Sequence, residues 1–456
     1  MNKHEHTDKR VPIEVDNVSI IRDESKCILC GSCKSVCKFS QGVYGSYDLE
    51  KTGGEAICIH CGQCANVCPT GAITEKKDYQ KVKEIIKKKD KIVIFQTSPS
   101  VRVGIGEAFH YEPGTFLEGK MVSVLRKLGA NYVFDTTFGA DLTIIEEGNE
   151  LLRRIQEKKT MPMFTSCCPA WIKYMEYFHA DKLDHLSTAK SPILMQGAII
   201  KTYFQERLHL HPEDIINVAV TPCTAKKFEI QRPEMNKAGI YHNDEAIRDM
   251  DYIITTRELA EWIKEENIDF SSLEDSEYDS LLGRGTGAGM IFGASGGVME
   301  AAIRYAYSVL TKKEPTEELL NWTPVRGIEG VKEATVSIQD TTLKVAVING
   351  TRNANKFLQN NFKEYDFIEV MACIGGCVAG GGQPKYDMMQ AEEIKTSRAN
   401  GLYEKDKKMP LRNSSDNEEI KMLYKEFLNH PSSELAHTLL HTTYTSREKS
   451  LNLMKS

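Results

Sequence analysis

Residues 369–384, EVMACIGGCVAGGGQP, run from an apolar segment into two cysteines and a series of glycines, and the rest of the chain reads as support for this stretch. Residues 366–370 read as a short buried strand. Cys373 and Cys377 follow four residues apart, which puts both thiols on one face if a helix begins there. Such a pair can grip one metal centre. Gly375, Gly376, Gly380, Gly381 and Gly382 carry no side chains, so backbone there can approach a bulky inorganic ligand closely. A glycine-rich turn with two buried thiols is the plain structural alternative, since cysteine is itself commonly buried.

Working outward, similar apolar runs occur at 91–96, 132–134, 161–165, 216–220, 252–255 and 343–348, and helical periodicity follows at 141–158, 257–266 and 298–307. The pattern predicts an α/β domain. Ligands of open α/β sheets collect beyond the carboxyl ends of strands. The cysteines outside the amino-terminal region fall there: Cys167 and Cys168 in FTSCCPAW, with Pro169 suited to the first turn of a helix, and Cys223 in VAVTPCTAKKFE, with Lys226 close behind.

Nearer the amino terminus, CILCGSCKSVC and CIHCGQCANVCP repeat one C-x2-C-x2-C-x3-C run. This is the pattern of a bacterial two-cluster ferredoxin, in which the fourth cysteine of each run serves the other cluster. Cys27, Cys30, Cys33 and Cys68 are therefore assigned to one 4Fe-4S cluster, and Cys37, Cys58, Cys61 and Cys64 to the other. A zinc ribbon needs a wider gap between CxxC pairs and would leave cysteines unused. The 13 cysteines thus divide into eight and five. Four of the five suit a further cluster, which leaves one thiol for other work. The lysine-rich residues 79–91 read as a solvated helix leaving this module.

The 456 residues exceed what one core usually serves, so two or three domains are expected. Net charge is −6, and no basic arm points to nucleic acid or an anionic membrane as partner. The first residues, MNKHEHTDKRVPIEV, lack an apolar leader, and no later run approaches a membrane span, so a cytoplasmic location is expected. GRGTGAG at 283–289 partly mimics a dinucleotide fingerprint, but no strand precedes it and it reads as a loop. The 12 histidines show no ligand spacing left unexplained by the iron sites.

TSCCPAW, TPCTAKKFE and EVMACIGGCVAGGGQP resemble, in order, the three signature motifs of the FeFe hydrogenases. QTSPSVRVGIGEAF, STAKSP and FGASGGVMEAA also match, and SSELAHTLLHTTY resembles that family's small subunit fused to the carboxyl end. The resemblance implies an N-terminal extension (1–17), an α+β ferredoxin-like domain (18–78), an H-cluster catalytic domain (79–384) and a small-subunit-like segment (385–456). It also implies mixed sheets flanked by helices, with the active site in a cleft between two lobes. By the same resemblance Cys168, Cys223, Cys373 and Cys377 hold the H-cluster, a 4Fe-4S cluster bridged through Cys377 to a diiron unit carrying carbonyl, cyanide and an azadithiolate. Lys226 would hydrogen-bond one cyanide and the backbone at Pro99 and Ser100 would meet the other. Thr221, Ser191, Pro192, Phe292, Val298 and Met371 would wall the diiron unit. Cys167, Glu147, Ser187, Glu150 and Arg154 would relay protons, and Glu147, Glu150 and Arg154 do fall on one face of a predicted helix.

Two positions depart from the family's usual motifs: Thr221 stands where methionine is usual and Ile193 where glutamine is usual. The expected reaction is the reversible conversion of protons and electrons to hydrogen, with a ferredoxin-type carrier as electron partner and with maturation proteins supplying the diiron unit. A hydrogen sensor using the same cofactor, or an iron-sulfur assembly or structural relative lacking the diiron unit, are the competing readings. Against the sensor, residues 385–456 offer no added signalling domain.

Overall fold

A computed structural model describes residues 9–50, 52–327, 329–360 and 362–448. β1 (Ile20–Arg22) pairs antiparallel with β2 (Ile73–Glu75), which brings the start and the end of the ferredoxin-like module together. Between them each cysteine run leads into a short helix, Ser32–Phe39 and Gln63–Asn66, entered through Gly31 and Gly62 in left-handed conformations. Residues 9–17, set apart by the sequence as an extension, pack onto this module. Val11 is buried with Ile20, Ala65 and Ile73, and the Asn17 side chain accepts from the backbone N–H groups of Ser19 and Ile20 at 2.9 Å each.

Strands buried on both faces of a parallel sheet read as unbroken apolar runs, and β3 (Ile92–Thr97, IVIFQT) is of that kind. It lies between β4 (Tyr132–Asp135) and β6 (Ile215–Thr221), and β7 (Tyr252–Thr255) completes a four-stranded parallel sheet ordered β4-β3-β6-β7. The second sheet contains β5 (Met163–Phe164), β8 (Val331–Ile338), β9 (Thr341–Asn349) and β10 (Phe367–Met371) in the order β5-β10-β9-β8. Only β8 runs antiparallel to its neighbour. The sequence reading has no strand at β8, because an edge strand whose residues alternate with solvent lacks an apolar run. The architecture is thus mixed sheets flanked by helices, as the fold class expected.

The helix Thr136–Glu157 follows β4 directly, begun by Asp135, whose carboxylate accepts from the Thr137 N–H at 2.8 Å. Four of its five acidic residues, Asp141, Glu146, Glu147 and Glu150, are buried, so it is not the solvent-facing helix that their charge suggests. Asp141 accepts from Thr286, Ser414 and Asn417, which pins the carboxy-terminal segment to this helix. The buried Arg304 adds a second fastening through Asp406 at 2.9 Å.

Two local expectations change. No α-helix follows β10: Gly375 and Gly376 take φ of +104° and +86°, turning the chain so that only a 3-10 turn, Cys377–Ala379, forms. Within GRGTGAG, residues 287–289 begin a short helix, Gly287–Ile291, packed on the helix Thr136–Glu157. The glycines of the opening stretch also do more than clear space for a ligand. A Cβ on Gly381 would lie 2.1 Å from the Cys61 carbonyl oxygen, and one on Gly376 would lie 2.5 Å from the Ser295 nitrogen. Backbone therefore packs on backbone at Gly381, where the module meets the catalytic domain, and at Gly376 within the catalytic domain itself.

Candidate active site

Residues just past the carboxyl ends of β3, β4 and β6 in one sheet and of β5 and β10 in the other line one cavity. Its volume is about 80 Å3. Cys167, Cys168, Cys223, Cys373 and Cys377 all face it. Cys168 caps the helix Pro169–Phe178, with Pro169 in the first turn, so the chain turns sharply as it leaves β5. Among the described residues no three His, Cys, Asp or Glu side chains converge as one ion would require. The thiols surround a space rather than a point.

Burial dominates the electrostatics. It pushes the Cys223 and Cys373 thiols up to about 12 and those of Cys167 and Cys377 well above their ordinary value. Uncompensated thiolates are therefore costly here, and a cationic metal centre is the kind of group that would supply the balancing charge. Lys226 is buried at the cavity wall and donates to the Cys167 carbonyl at 3.1 Å and to Glu229 at 2.8 Å. Burial works against its charge, but Glu229 and the neighbouring thiols hold its pKa above the usual lysine value.

In the amino-terminal module, Cys27, Cys30, Cys33 and Cys68 line one cavity and Cys37, Cys58, Cys61 and Cys64 line another. Cys61 borders the second of these and the main cavity as well. Gln63 spans the same boundary, donating to Cys373 Sγ at 3.1 Å and to the Ala379 carbonyl at 2.9 Å.

Behind Cys167 lies a row of buried polar groups. Glu147 raises the Cys167 thiol further by its charge. Among the described residues neither Glu147 oxygen has a hydrogen-bond partner; Ser187 and the Ser166 N–H are near enough to steady its charge but miss hydrogen-bond geometry. Ser187 donates to Glu150 at 2.9 Å, and Arg154 holds the other Glu150 oxygen at 2.6 Å.

The family model for "Iron only hydrogenase large subunit, C-terminal domain" matches residues 91–381. The chain belongs to the iron-only hydrogenase family. Models for "Iron hydrogenase small subunit" and "4Fe-4S binding domain" match residues 392–447 and 55–74. Iron hydrogenase 1 of Clostridium pasteurianum is 42% identical over 96% of this chain and 78% of its own length. The apo FeFe-hydrogenase HydA1 of Chlamydomonas reinhardtii, in a variant form, superposes with a TM-score of 0.71 at 36% identity, covering 81% of this chain and 99% of that one. The cytosolic iron-sulfur assembly component 3 of Bos taurus is more distant, 32% identical over 79% of this chain and 75% of its own length.

This hydrogenase is thus an oxidoreductase that interconverts protons and electrons with hydrogen, using 4Fe-4S clusters and an H-cluster. The residues present fit that cofactor: four half-buried thiols on one cavity, a buried lysine in its wall and glycines at the turns. Pro99, Ser100, Pro192, Thr221, Phe292 and Met371 line the cavity, as do Ile193 and Thr136. Val298 does not; it is buried in the core at the start of the helix Gly297–Thr311, one turn behind the lining. Ser191 is also set back, where its hydroxyl donates to Glu229 at 3.0 Å. The sequence reading missed Glu229 and Gln63. Glu229 was findable, three residues after Lys226 and so on its helical face, whereas nothing in CGQC marks Gln63 as a bridge.

Proposed function

We propose that Cys168, Cys223, Cys373 and Cys377 hold the H-cluster of this hydrogenase, with Cys377 as the bridging ligand, and that Cys167 passes protons to and from it. The fifth thiol carries the reading: Cys167 shares the cavity with the other four and has the unpartnered carboxyl of Glu147 behind it. When bound, the diiron unit supplies the redox chemistry at which protons and electrons combine. The chain's own residues do the rest. Lys226 offers a charged donor in a dry wall, Pro99 and Ser100 present backbone, and Thr221, Pro192, Phe292 and Met371 exclude water. Glu147, Ser187, Glu150 and Arg154 take the proton from Cys167 toward solvent.

Electrons enter at the cluster held by Cys27, Cys30, Cys33 and Cys68, where Cys30 is exposed, and leave the module at Cys61. A ferredoxin-type carrier suits that entry, and maturation proteins supply the diiron unit. A cytoplasmic site of action completes the reading, and no helix among the described residues is long and apolar enough to cross a membrane. Domain limits near residues 18, 79 and 385 divide these tasks, although residues 9–17 pack with the ferredoxin-like module.

Iron content tests the ligand assignment. Protein made without maturation factors should carry about twelve irons, four per set of cysteines, and Cys373→Ser should lower that by about four. A wild-type ratio near eight would remove the cluster assigned to Cys168, Cys223, Cys373 and Cys377.

A further inference from the structure

Glu150 is approached from a second side. Besides Ser187 and Arg154 it receives Thr188, whose backbone N–H and hydroxyl donate to Oε2 at 2.9 and 3.2 Å. The Thr188 hydroxyl lies 2.8 Å from His441 Nδ1, and His441 Nε2 lies 3.0 Å from Glu146 Oε2. His441 follows the helix Glu434–Leu440 of the carboxy-terminal segment, and its backbone bridges to Ala189 beside Thr188. His441 and Glu146 are both buried.

Glu146 is well supplied with donors, since the Tyr424 hydroxyl at 2.5 Å and the Ser432 N–H at 2.9 Å also reach it. A carboxylate held in this way stays an acceptor and fixes Nε2 as the protonated nitrogen of the imidazole. Nδ1 is then the exchanging nitrogen, and it faces the Thr188 hydroxyl.

We propose that Glu146, His441 and Thr188 form a side branch of the proton path that loads and unloads Glu150. The proposal rests on Glu150 being a relay member. His441 acts through Thr188 and Glu150, so it is a positioning residue for the proton and not a catalytic one. Inward, imidazolium Nδ1 gives its proton to the Thr188 oxygen as the threonine hydroxyl gives its own to Glu150, leaving neutral His441 and protonated Glu150. Outward transfer reverses both steps, and no other reactant is consumed. His437, one turn earlier and exposed, stacks its ring on that of His441 with centroids 4.8 Å apart, and the branch holds a proton in reserve for Glu150 rather than opening a second route to solvent. The other charged or titratable groups at this junction are Glu146, Glu150 and Arg153 on the helix Thr136–Glu157, Tyr424, and the Lys190–Asp249 pair, of which Lys190 donates to the Leu439 carbonyl. A segment that resembles a separate subunit would thereby contribute a working group to the proton path.

The test is the pH dependence of hydrogen evolution and uptake in the matured full-length protein carrying His441→Gln. The amide can still donate to Glu146 and accept from Thr188, but it takes up no proton. The expected result is loss of one limb of the pH–rate profile, with a drop in turnover smaller than the roughly hundredfold expected for Cys167→Ala. Thr188→Val, which removes the hydroxyl link and keeps the backbone donor, should lose the same limb and carries the test if His441→Gln does not fold. An unchanged profile in Thr188→Val, or a uniform fall at every pH in His441→Gln, overturns the branch. Near-wild-type turnover in Cys167→Ala would overturn the relay on which the branch rests, so the two failures are distinguishable.

Discussion

Glu147 lies in the middle of a buried helix with neither oxygen hydrogen-bonded, and burial together with the Glu150 charge pushes its pKa up to about 8. An unfolded chain releases that proton near 4.5. Between these two values the folded protein holds a proton that the unfolded chain lacks, so this residue makes stability fall as pH rises through that window. Glu147→Gln removes the titration. From about pH 5 to about pH 9 the variant's melting temperature should fall less than that of the wild type, while its hydrogen turnover drops by about a hundredfold. Parallel melting curves at every pH would contradict the buried, unpartnered carboxyl. The cysteines were legible because ligand spacing leaves a mark in sequence. His441 was not: a histidine that works through a threonine and a glutamate needs no spacing at all, and setting the histidines aside as poor metal ligands passed over it.

At the scale of elements, strands such as β3 and β6 were legible as apolar runs because both their faces are covered, whereas edge strand β8, half of it facing solvent, was not. The glycine-rich stretch was legible as special but not as an interface. Arg257, in the first turn of the helix Thr256–Glu265, explains part of that interface. Its guanidinium holds Glu75 on β2 at 2.7 Å, donates to the Gln383 carbonyl at 2.6 Å and also reaches Asn66 and the Gly381 carbonyl. One side chain thus ties the ferredoxin-like module to the loop that carries Cys373 and Cys377. Arg257→Ala strands a nearly buried Glu75, and urea unfolding should show a loss of about 3 kcal/mol. Adding Glu75→Gln to that variant should recover part of the loss. A cost below about 0.5 kcal/mol would mean the clamp is no more than a surface pair.

Across the whole molecule two chains of groups converge on one cavity. One passes thiol sets inward from the exposed Cys30 to Cys61 and Gln63; the other runs from Arg154 through Glu150, Ser187 and Glu147 to Cys167. The order of the cysteine motifs made the first chain legible. The second was expected only through the family resemblance, because by spacing alone Glu147 and Glu150 on a helix face read equally well as a solvated surface, and the fold shows that helix to be buried. On the proposed function hydrogen turnover uses both chains at once, and Cys167→Ala would cut the proton chain without touching any of the twelve thiols assigned to iron. The decisive measurement is hydrogen turnover by matured Cys167→Ala, with infrared spectroscopy of the same sample to show that the carbonyl and cyanide bands of the H-cluster are present. The account predicts intact bands with turnover lowered at least about a hundredfold; intact bands with near-wild-type turnover would contradict it.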